Sequence, residues 1–166
     1  MAIVVDMGQA IAEEINARNL GFDVAAEFSW ADWQLQLDVD QALRIDVVPV
    51  SNGYKTTIAT NTEFDHLIPF DIAIRKKLTA DDREDSAKAK FNIDAVGDLV
   101  DVWQTLFELF HPSQTAQSGM LRAMPDASWQ RTEPTAIWVK KHLTEWGQYT
   151  GLIRTTFMIT RVPAGL

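Results

Sequence analysis

A run of predicted strands followed by one amphipathic stretch constrains the fold of this chain more than any other feature. Residues 43–50 read LRIDVVPV and residues 54–60 read YKTTIAT, with Ser51, Asn52 and Gly53 between them. Because an Asn-Gly pair tolerates the positive φ angles of a type I′ turn, these two segments predict an antiparallel hairpin. The near-continuous apolar residues of the first segment indicate burial on both faces.

A third strand is predicted at residues 67–78, which read LIPFDIAIRKKL. Alternation gives one face to apolar side chains that we expect in the core, namely Ile68, Phe70, Ile72, Ile74 and Leu78. Asp71, Arg75 and Lys77 share the opposite face, which we expect to meet solvent or a partner. The third strand therefore separates a core from an accessible surface.

The amphipathic stretch at residues 93–110 reads IDAVGDLVDVWQTLFELF and predicts a long helix. Asn92 is placed to cap its N-terminus, and Pro112 stops it after His111. The predicted apolar stripe faces the sheet and consists of Ile93, Val96, Val100, Trp103, Phe107 and Phe110. One helix is thus expected to pack across the strands that precede it.

A further helix is predicted near the N-terminus, where Asp6 and Gln9 have the spacing of a capping box. Asn19 and Gly21 are residues typical of a helix end. Together the elements indicate an α+β fold: an antiparallel or mixed β-sheet with an N-terminal helix and a second long helix packed on the sheet. At 166 residues we expect one domain, residues 1–166.

The remaining segments give weaker patterns. Additional strands are predicted at residues 22–28, 33–40, 135–142 and 152–162, and the charged residues 81–90 predict a solvated linker. Residues 112–134 are rich in Ser, Gln, Thr and Pro and lack periodicity. We expect them to form a long loop that is mobile in the isolated protein and orders on assembly.

Composition excludes several classes of function. The net charge is -8, which disfavours general nucleic-acid binding, and we expect the cluster Arg75, Lys76 and Lys77 to close a strand at an exposed end. No apolar run is long enough to span a bilayer, and no signal peptide is indicated. The chain has no cysteine, which excludes disulfides and thiolate chemistry.

No motif with catalytic or ligand-binding chemistry is present in the sequence. The three histidines stand far apart, at positions 66, 111 and 142, and no serine elbow, phosphate-binding loop or dinucleotide fingerprint occurs. Asp38, Asp40 and Asp46 are expected on a solvated face rather than around a cation. We therefore expect no enzymatic activity, no cofactor and no bound metal.

Six tryptophans are many for this length. Trp103 belongs to the predicted helix core, whereas Trp129, Trp138 and Trp146 lie in the C-terminal third. Three interpretations remain open for them: core filling, an aromatic protein–protein contact, or the lining of a small-molecule pocket.

With these elements placed, the chain resembles the tail-terminator (tail-completion, minor tail) proteins of long-tailed bacteriophages and prophages. The resemblance covers most of the chain except residues 112–134. It is carried by the opening helix at 9–18, by LRIDVVP at 43–49, which is similar to the family's V-x-V-x-P strand, by FDIAIRKK at 70–77, by the helix beginning IDAV at 93–96, and by the final strand at 152–162.

This resemblance implies a virion structural protein, made in the host cytoplasm and located at the tail end, at the head–tail junction. Such proteins form a homo-oligomeric ring, usually of six subunits, which caps the tail tube, ends its polymerisation and offers a surface to the head-side connector protein. The implied partners are other copies of the chain, the tail-tube protein and the connector, without a membrane or direct nucleic-acid recognition. The family has no catalytic residues.

For the contact between subunits, we expect Asp71, Arg75 and Lys77 to set the register with the acidic run at 81–85. Trp129, Trp138 and Trp146 are further interface candidates. Reversing the charges of Arg75 and Lys77 together is then expected to weaken the ring and leave the fold intact.

Two other classes remain open. One is an α+β small-molecule-binding protein or small enzyme, in which the helix closes an aromatic pocket over the sheet. The other is a different head–tail neck or head-completion protein with a similar fold. The mass of the protein in solution separates a ring from a ligand-binding monomer.

Overall fold

The computed structural model describes residues 2–30, 32–38, 42–60, 62–79, 82–85, 90–111 and 120–162. Within them lie three helices and eight strands: α1 (Ile3–Ala17), β1 (Ala26–Phe28), β2 (Arg44–Pro49), β3 (Lys55–Ile58), β4 (Phe64–Lys77), β5 (Arg83–Asp85), β6 (Lys90–Phe91), α2 (Ile93–Leu109), β7 (Ser128–Ala136), α3 (Lys140–Trp146) and β8 (Gln148–Arg161). Six strands form a mixed sheet in the order β1-β2-β4-β8-β7, with β3 also paired to β4. The predicted α+β class is therefore confirmed.

The centre of the sheet is the antiparallel pair of β4 and β8, each 14 residues long. On one face, Ile72 lies opposite Ile153 and Ile68 lies opposite Phe157, and all four side chains are buried. Helices α1 and α2 cover this face and contribute their own buried side chains to the same core, among them Met7, Ile11, Leu106 and Phe110. The hydrophobic core thus lies between the two helices and the sheet.

The predicted hairpin between residues 43–50 and 54–60 is wrong. Strands β2 and β3 do not pair with each other; both run antiparallel to β4, one after the other along the same edge. The chain reverses later, where Ala59 N–H donates to Glu63 O at 3.0 Å. Gly53 does not adopt a positive φ, and its Cβ position would lie 2.2 Å from Pro69 Cγ. The glycine therefore permits a close approach to Pro69 rather than a tight turn.

The N-terminal helix also begins earlier than the capping box indicates. Ala2 is the N-cap residue of α1 and makes no side-chain capping bond, while Asp6 lies within the first turn. Ile3 and Val4 pack against the core, so tertiary packing extends the helix towards the N-terminus. The end of the helix follows the prediction, since Asn19 and Gly21 both have positive φ.

Three strand predictions are corrected in extent or type. Only Ala26–Phe28 of residues 22–28 forms a strand, and it pairs parallel to β2. Residues 33–38 form turns and loop instead of a strand, and positions 39 and 40 lie outside the described residues. Residues 135–142 comprise the end of β7, a bend within 137–139 and the start of α3.

The long loop expected at residues 112–134 is also shorter than expected. Residues 128–134 belong to β7, and Met120, Leu121 and Ala127 are buried in the core. Residues 112–119 lie outside the described part of the chain. The expected linker at 81–90 contains β5 and β6, which pair as a separate two-stranded sheet, with positions 81 and 86–89 outside the description.

Candidate interaction surfaces

The predicted stripe of helix α2 is only partly confirmed, since Trp103 and Phe110 are buried as predicted while Ile93 is exposed. Asn92 caps the helix as predicted, accepting a bond from Asp94 N–H at 2.9 Å. The buried residues of the helix are Leu99, Trp103 and Leu106, whereas Ile93 is 79% exposed and Val96 and Val100 are half-buried. Apolar residues therefore occupy two neighbouring faces of α2, and only one of them meets the sheet.

The second apolar face of α2 forms a groove of about 560 Å³. Its apolar lining comes from β6, from the first half of α2 and from the region of α3, and consists of Phe91, Ile93, Val96, Val100, Trp138 and Leu143. Trp138 is 47% exposed. Asp101 lies on the rim, and α2 carries four acidic residues and no basic residue. We call this surface the α2 groove.

A second exposed apolar surface lies at the far end of the sheet. Ile58 is 75% exposed and lies opposite Phe64, which in turn lies opposite Arg161. Because directly opposed residues of antiparallel strands share a face, these three side chains form a row across β3, β4 and β8. Val162 follows and is also exposed. We call Ile58, Phe64 and Arg161 the β3 row.

Two of the three charged interface candidates are buried, so the prediction that they face solvent is wrong. Arg75 donates from Nε and Nη2 to Asp46 Oδ2 at 3.1 and 2.6 Å, and its side chain is 3% exposed. Asp71 accepts from Arg154 Nε and Nη2 at 2.8 and 3.0 Å. The hydrogen bonds that Arg154 donates to Asp71 hold the pKa of the Arg154 guanidinium above its ordinary value. Asp46 was expected in solvent and is instead buried in these pairs.

These pairs are buried because other segments cover the second face of the sheet. Leu37 N–H donates to Gln148 Oε1 at 2.7 Å, which fixes the segment 32–38 over the sheet. His142 of α3 shares a 2.9 Å bond with Thr150 of β8. The third candidate, Lys77, is half-buried and donates from Nζ to Trp146 O at 2.6 Å. The three charged candidates of β4 are therefore bound within the subunit.

The three tryptophan candidates have different environments. Trp129 is half-buried and donates from Nε1 to Thr132 Oγ1 at 2.9 Å. Trp146 stacks on His142, with ring centroids 4.2 Å apart. Trp138 alone among these three lines the α2 groove. The structure thus brings one of the six predicted interface residues to an exposed apolar surface.

The histidines make separate structural contacts. His142 is buried, and burial, followed by the nearby charges of Lys141 and Arg75, holds its pKa below the ordinary value. His66 shares a bond with Tyr54, and His111 stacks on Phe107. Among the described residues, no group of three or more His, Cys, Asp or Glu side chains is arranged to hold a metal ion. No helix in the described ranges has the length and apolarity to cross a membrane.

A polar cleft on the second face of the sheet had no signal in the sequence. It measures about 540 Å³ and is lined by Lys55, Arg131, Glu133, Arg154 and Thr156, among others. Thr156 Oγ1 is buried and has no hydrogen-bond partner within the described residues. The cleft forms only where β3, β4, β8 and β7 come together, which periodicity along one strand does not reveal.

Comparison of this chain with models of protein families and with curated proteins finds no match in either case. The class that the fold defines is an α+β domain in which α1 and α2 cover one face of a mixed sheet and α3 contacts the other. Among its accessible features are the largely apolar α2 groove, the β3 row and the polar cleft. Exposed apolar patches and clefts are the places where proteins commonly contact partners or ligands.

Proposed function

We propose that this protein is a phage virion structural protein that caps the tail tube as a homo-oligomeric ring. The ring, most simply of six copies, ends polymerisation of the tail and provides the surface that joins the head. Its partners are other copies of the chain, the tail-tube protein and the head-side connector protein. Support comes from the resemblance in the order of elements, together with the α+β fold in which α2 packs across the sheet.

The observation that carries this proposal is the α2 groove. Ile93 and Trp138 remain substantially exposed beside an apolar lining of about 560 Å³. Contiguous exposed apolar surface of this kind marks protein–protein contacts, and aromatic residues such as tryptophan are enriched there. In an assembly, a neighbouring subunit would bury this apolar surface.

The charge distribution is compatible with a structural role. The buried charged side chains Asp46 and Arg75 are bound to each other, and Asp71 is bound to Arg154. Paired charges of this type hold strands in register. The acidic surface of α2 disfavours contact with a phosphate backbone, which supports protein partners over nucleic acid.

The direct test is the mass of the purified protein by multi-angle light scattering, followed by negative-stain imaging. The proposal expects particles several times heavier than the 18.7 kDa chain and ring-shaped in projection. Added to polymerising tail-tube protein of the same phage, the rings should bind tube ends and stop elongation. A chain that stays monomeric at high concentration and in the presence of tail-tube protein overturns the proposal.

The alternative among virion proteins is another neck or head-completion protein. Binding assays distinguish the two roles, because such a protein would bind the connector protein and would not bind the tail tube. The ligand-binding or enzymatic alternative requires an aromatic pocket between α2 and the sheet. The aromatic side chains at that place, Trp103, Phe110 and Phe157, are buried core residues. The structure therefore offers less support for this alternative than for an assembly protein.

A further inference from the structure

We propose that the α2 groove of one subunit receives the β3 row of the next subunit, so that the ring is built from head-to-tail contacts. This inference rests on the proposed ring and adds to it the two surfaces that meet. It assigns a contact role to Ile58 and Arg161, which no sequence motif indicated. Ile58 and Arg161 take the place of Asp71 and Arg75 as proposed contact residues, because the side chains of Asp71 and Arg75 are buried within the subunit.

The chemistry of the two surfaces is complementary. The groove has an apolar lining with Asp101 at its rim, on a helix that has four acidic residues and no basic one. The β3 row offers an exposed isoleucine, a half-buried phenylalanine and the cationic Arg161. Aliphatic surface next to a cation fits an apolar groove with an acidic rim, because the charges select the partner while apolar burial supplies affinity.

The position of the two surfaces excludes a contact within one subunit. Trp138 lies next to Val139, whose N–H donates to Thr150 O at 2.9 Å, so the groove lies near the beginning of β8. Arg161 is the last residue of β8. At about 3.4 Å per residue, the strand separates these points by about 35 Å. Contacts between two different surfaces at opposite ends of a subunit are heterologous, and heterologous contacts close into a ring when the rotation between neighbouring subunits closes.

The outer edge of β3 adds a second reason for a contact at this end. All four residues of β3 are exposed, and within the described chain β3 pairs with β4 alone. Proteins commonly protect edge strands, and an edge with an exposed aliphatic side chain is an adhesive surface. The β3 row therefore has the exposed edge and the exposed aliphatic side chain that are expected of a surface buried by a neighbouring subunit.

The test uses two charge-introducing variants, Ile93→Glu in the groove and Ile58→Glu in the row. Both isoleucines are exposed, so the folded subunit should tolerate the changes. We expect each variant alone to associate at least about tenfold more weakly than wild type. Leu35→Glu is the matched control, because Leu35 is an exposed aliphatic residue outside both surfaces, and it should assemble like wild type.

Mixing the two variants distinguishes head-to-tail contact from other arrangements. Each variant keeps one intact surface, so an equimolar mixture should form one-to-one heterodimers and no larger species in light scattering. If wild type forms rings and either variant still does so, or if the mixture stays monomeric, the contact is overturned while the ring remains. A wild-type protein that never forms rings overturns both. If a glutamate variant loses the wild-type circular dichroism spectrum, Ile58→Ser and Ile93→Ser are used instead, with the same expected outcomes.

Discussion

At the scale of single residues, the pair of Arg75 and Asp46 shows how charge serves this fold. Asp46 is enclosed by two guanidinium groups, since Arg44 Nη2 also approaches its Oδ1 at 3.1 Å. The pairing partner of Arg75 is 29 positions away in sequence, and that of Asp71 is 83 positions away. Nothing near Asp71 or Arg75 along the chain indicates these partners. The alternation of residues 67–78 alone therefore predicts that the charged face of this strand meets solvent.

The first prediction follows from this burial. Among the described residues, Arg75→Leu leaves Asp46 with the partly exposed Arg44 as its one cationic partner, and we expect a loss of about 3 kcal/mol in the free energy of unfolding, measured by urea denaturation. Arg131→Leu is the matched control: its partner Glu133 is exposed and 3.7 Å away, and its loss should stay below about 1 kcal/mol. Equal losses in the two variants would contradict a buried pair. Charge reversal at Arg75 and Lys77 is therefore expected to damage the monomer itself.

The second prediction concerns His142 and acid stability. Its pKa in the folded protein is lowered, chiefly by burial, so the unfolded chain binds the proton more readily. Stability from the neutral imidazole is complete above the ordinary pKa of 6.5 and is lost as pH falls through the lowered folded pKa. Asp32 opposes this effect, while Lys141 and Arg75 reinforce it.

Thermal unfolding measured at a series of pH values below 7 tests this linkage. His142→Gln should show a smaller drop in unfolding temperature than wild type across the acid range. Identical profiles for wild type and His142→Gln would refute the assignment.

At the scale of elements, two helical glycines have opposite roles. A Cβ at Gly8 of α1 would lie 2.2 Å from Phe28 Cδ2, because the helix approaches β1 closely. A Cβ at Gly97 of α2 would meet nothing within 4 Å. Gly8 is therefore required by packing, whereas Gly97 only lowers helix propensity.

The third prediction compares alanine at these two positions. Gly97→Ala should raise the free energy of unfolding by about 0.5–1 kcal/mol, since alanine is the better helix former. Gly8→Ala should lower it, because Phe28 and Phe70 must move to admit the methyl group. Chemical denaturation of both variants beside wild type gives the two signs. A stabilised Gly8→Ala protein would show that the approach of α1 to β1 is less close than described.

The elements that sequence predicted well are those decided locally. Asn92 caps α2 by a bond that spans two residues, and Asn19 ends α1 with its own backbone conformation. The incorrect predictions concern strand pairing, which depends on residues that are distant in sequence. Residues 54–60 have a strand pattern, but the choice of β4 over β2 as partner depends on the turn near Glu63 and on the contact of Gly53 with Pro69.

The candidate site was only partly predictable for a related reason. Apolar residues cover two faces of α2, so periodicity alone does not decide which face turns to the sheet. The predicted stripe included Ile93, which is exposed in the groove, and Val96 and Val100, which line the groove while also packing partly against the core. Trp138 was named as an interface candidate from its residue type. Its neighbours in the groove become apparent only after α2 and α3 are placed together.

At the scale of the whole molecule, the pair of β4 and β8 is the structural centre. Both strands have neighbours on either side and carry most of the buried residues of the sheet, whereas β1 and β3 are short and lie at an edge. Opening the central strands requires loss of most of the core. Opening β3 requires loss of four paired positions only.

The fourth prediction is a gradient of amide hydrogen exchange. Residues 68–74 and 151–157 should exchange slowest, close to the rate set by global unfolding, because both segments are buried and paired on two sides. Residues 55–58 should exchange much faster in the isolated subunit. Assembly should slow exchange at 55–58 if the β3 row is covered. Mass spectrometry of dilute and concentrated samples compares the two states, and faster exchange in β8 than in β3 would contradict this order.

The interrupted edge formed by β2 and β3 offers a practical site for labelling. Each strand is held by its own hydrogen bonds to β4. The segment at 50–54 that connects β2 to β3 therefore does not set the register of either strand. Ser51 and Asn52 are exposed at its tip, while Gly53 contacts Pro69. A short epitope inserted between Ser51 and Asn52 would therefore project from the subunit without shifting its strands. Antibody bound to that epitope would mark the position of each copy in images of intact particles.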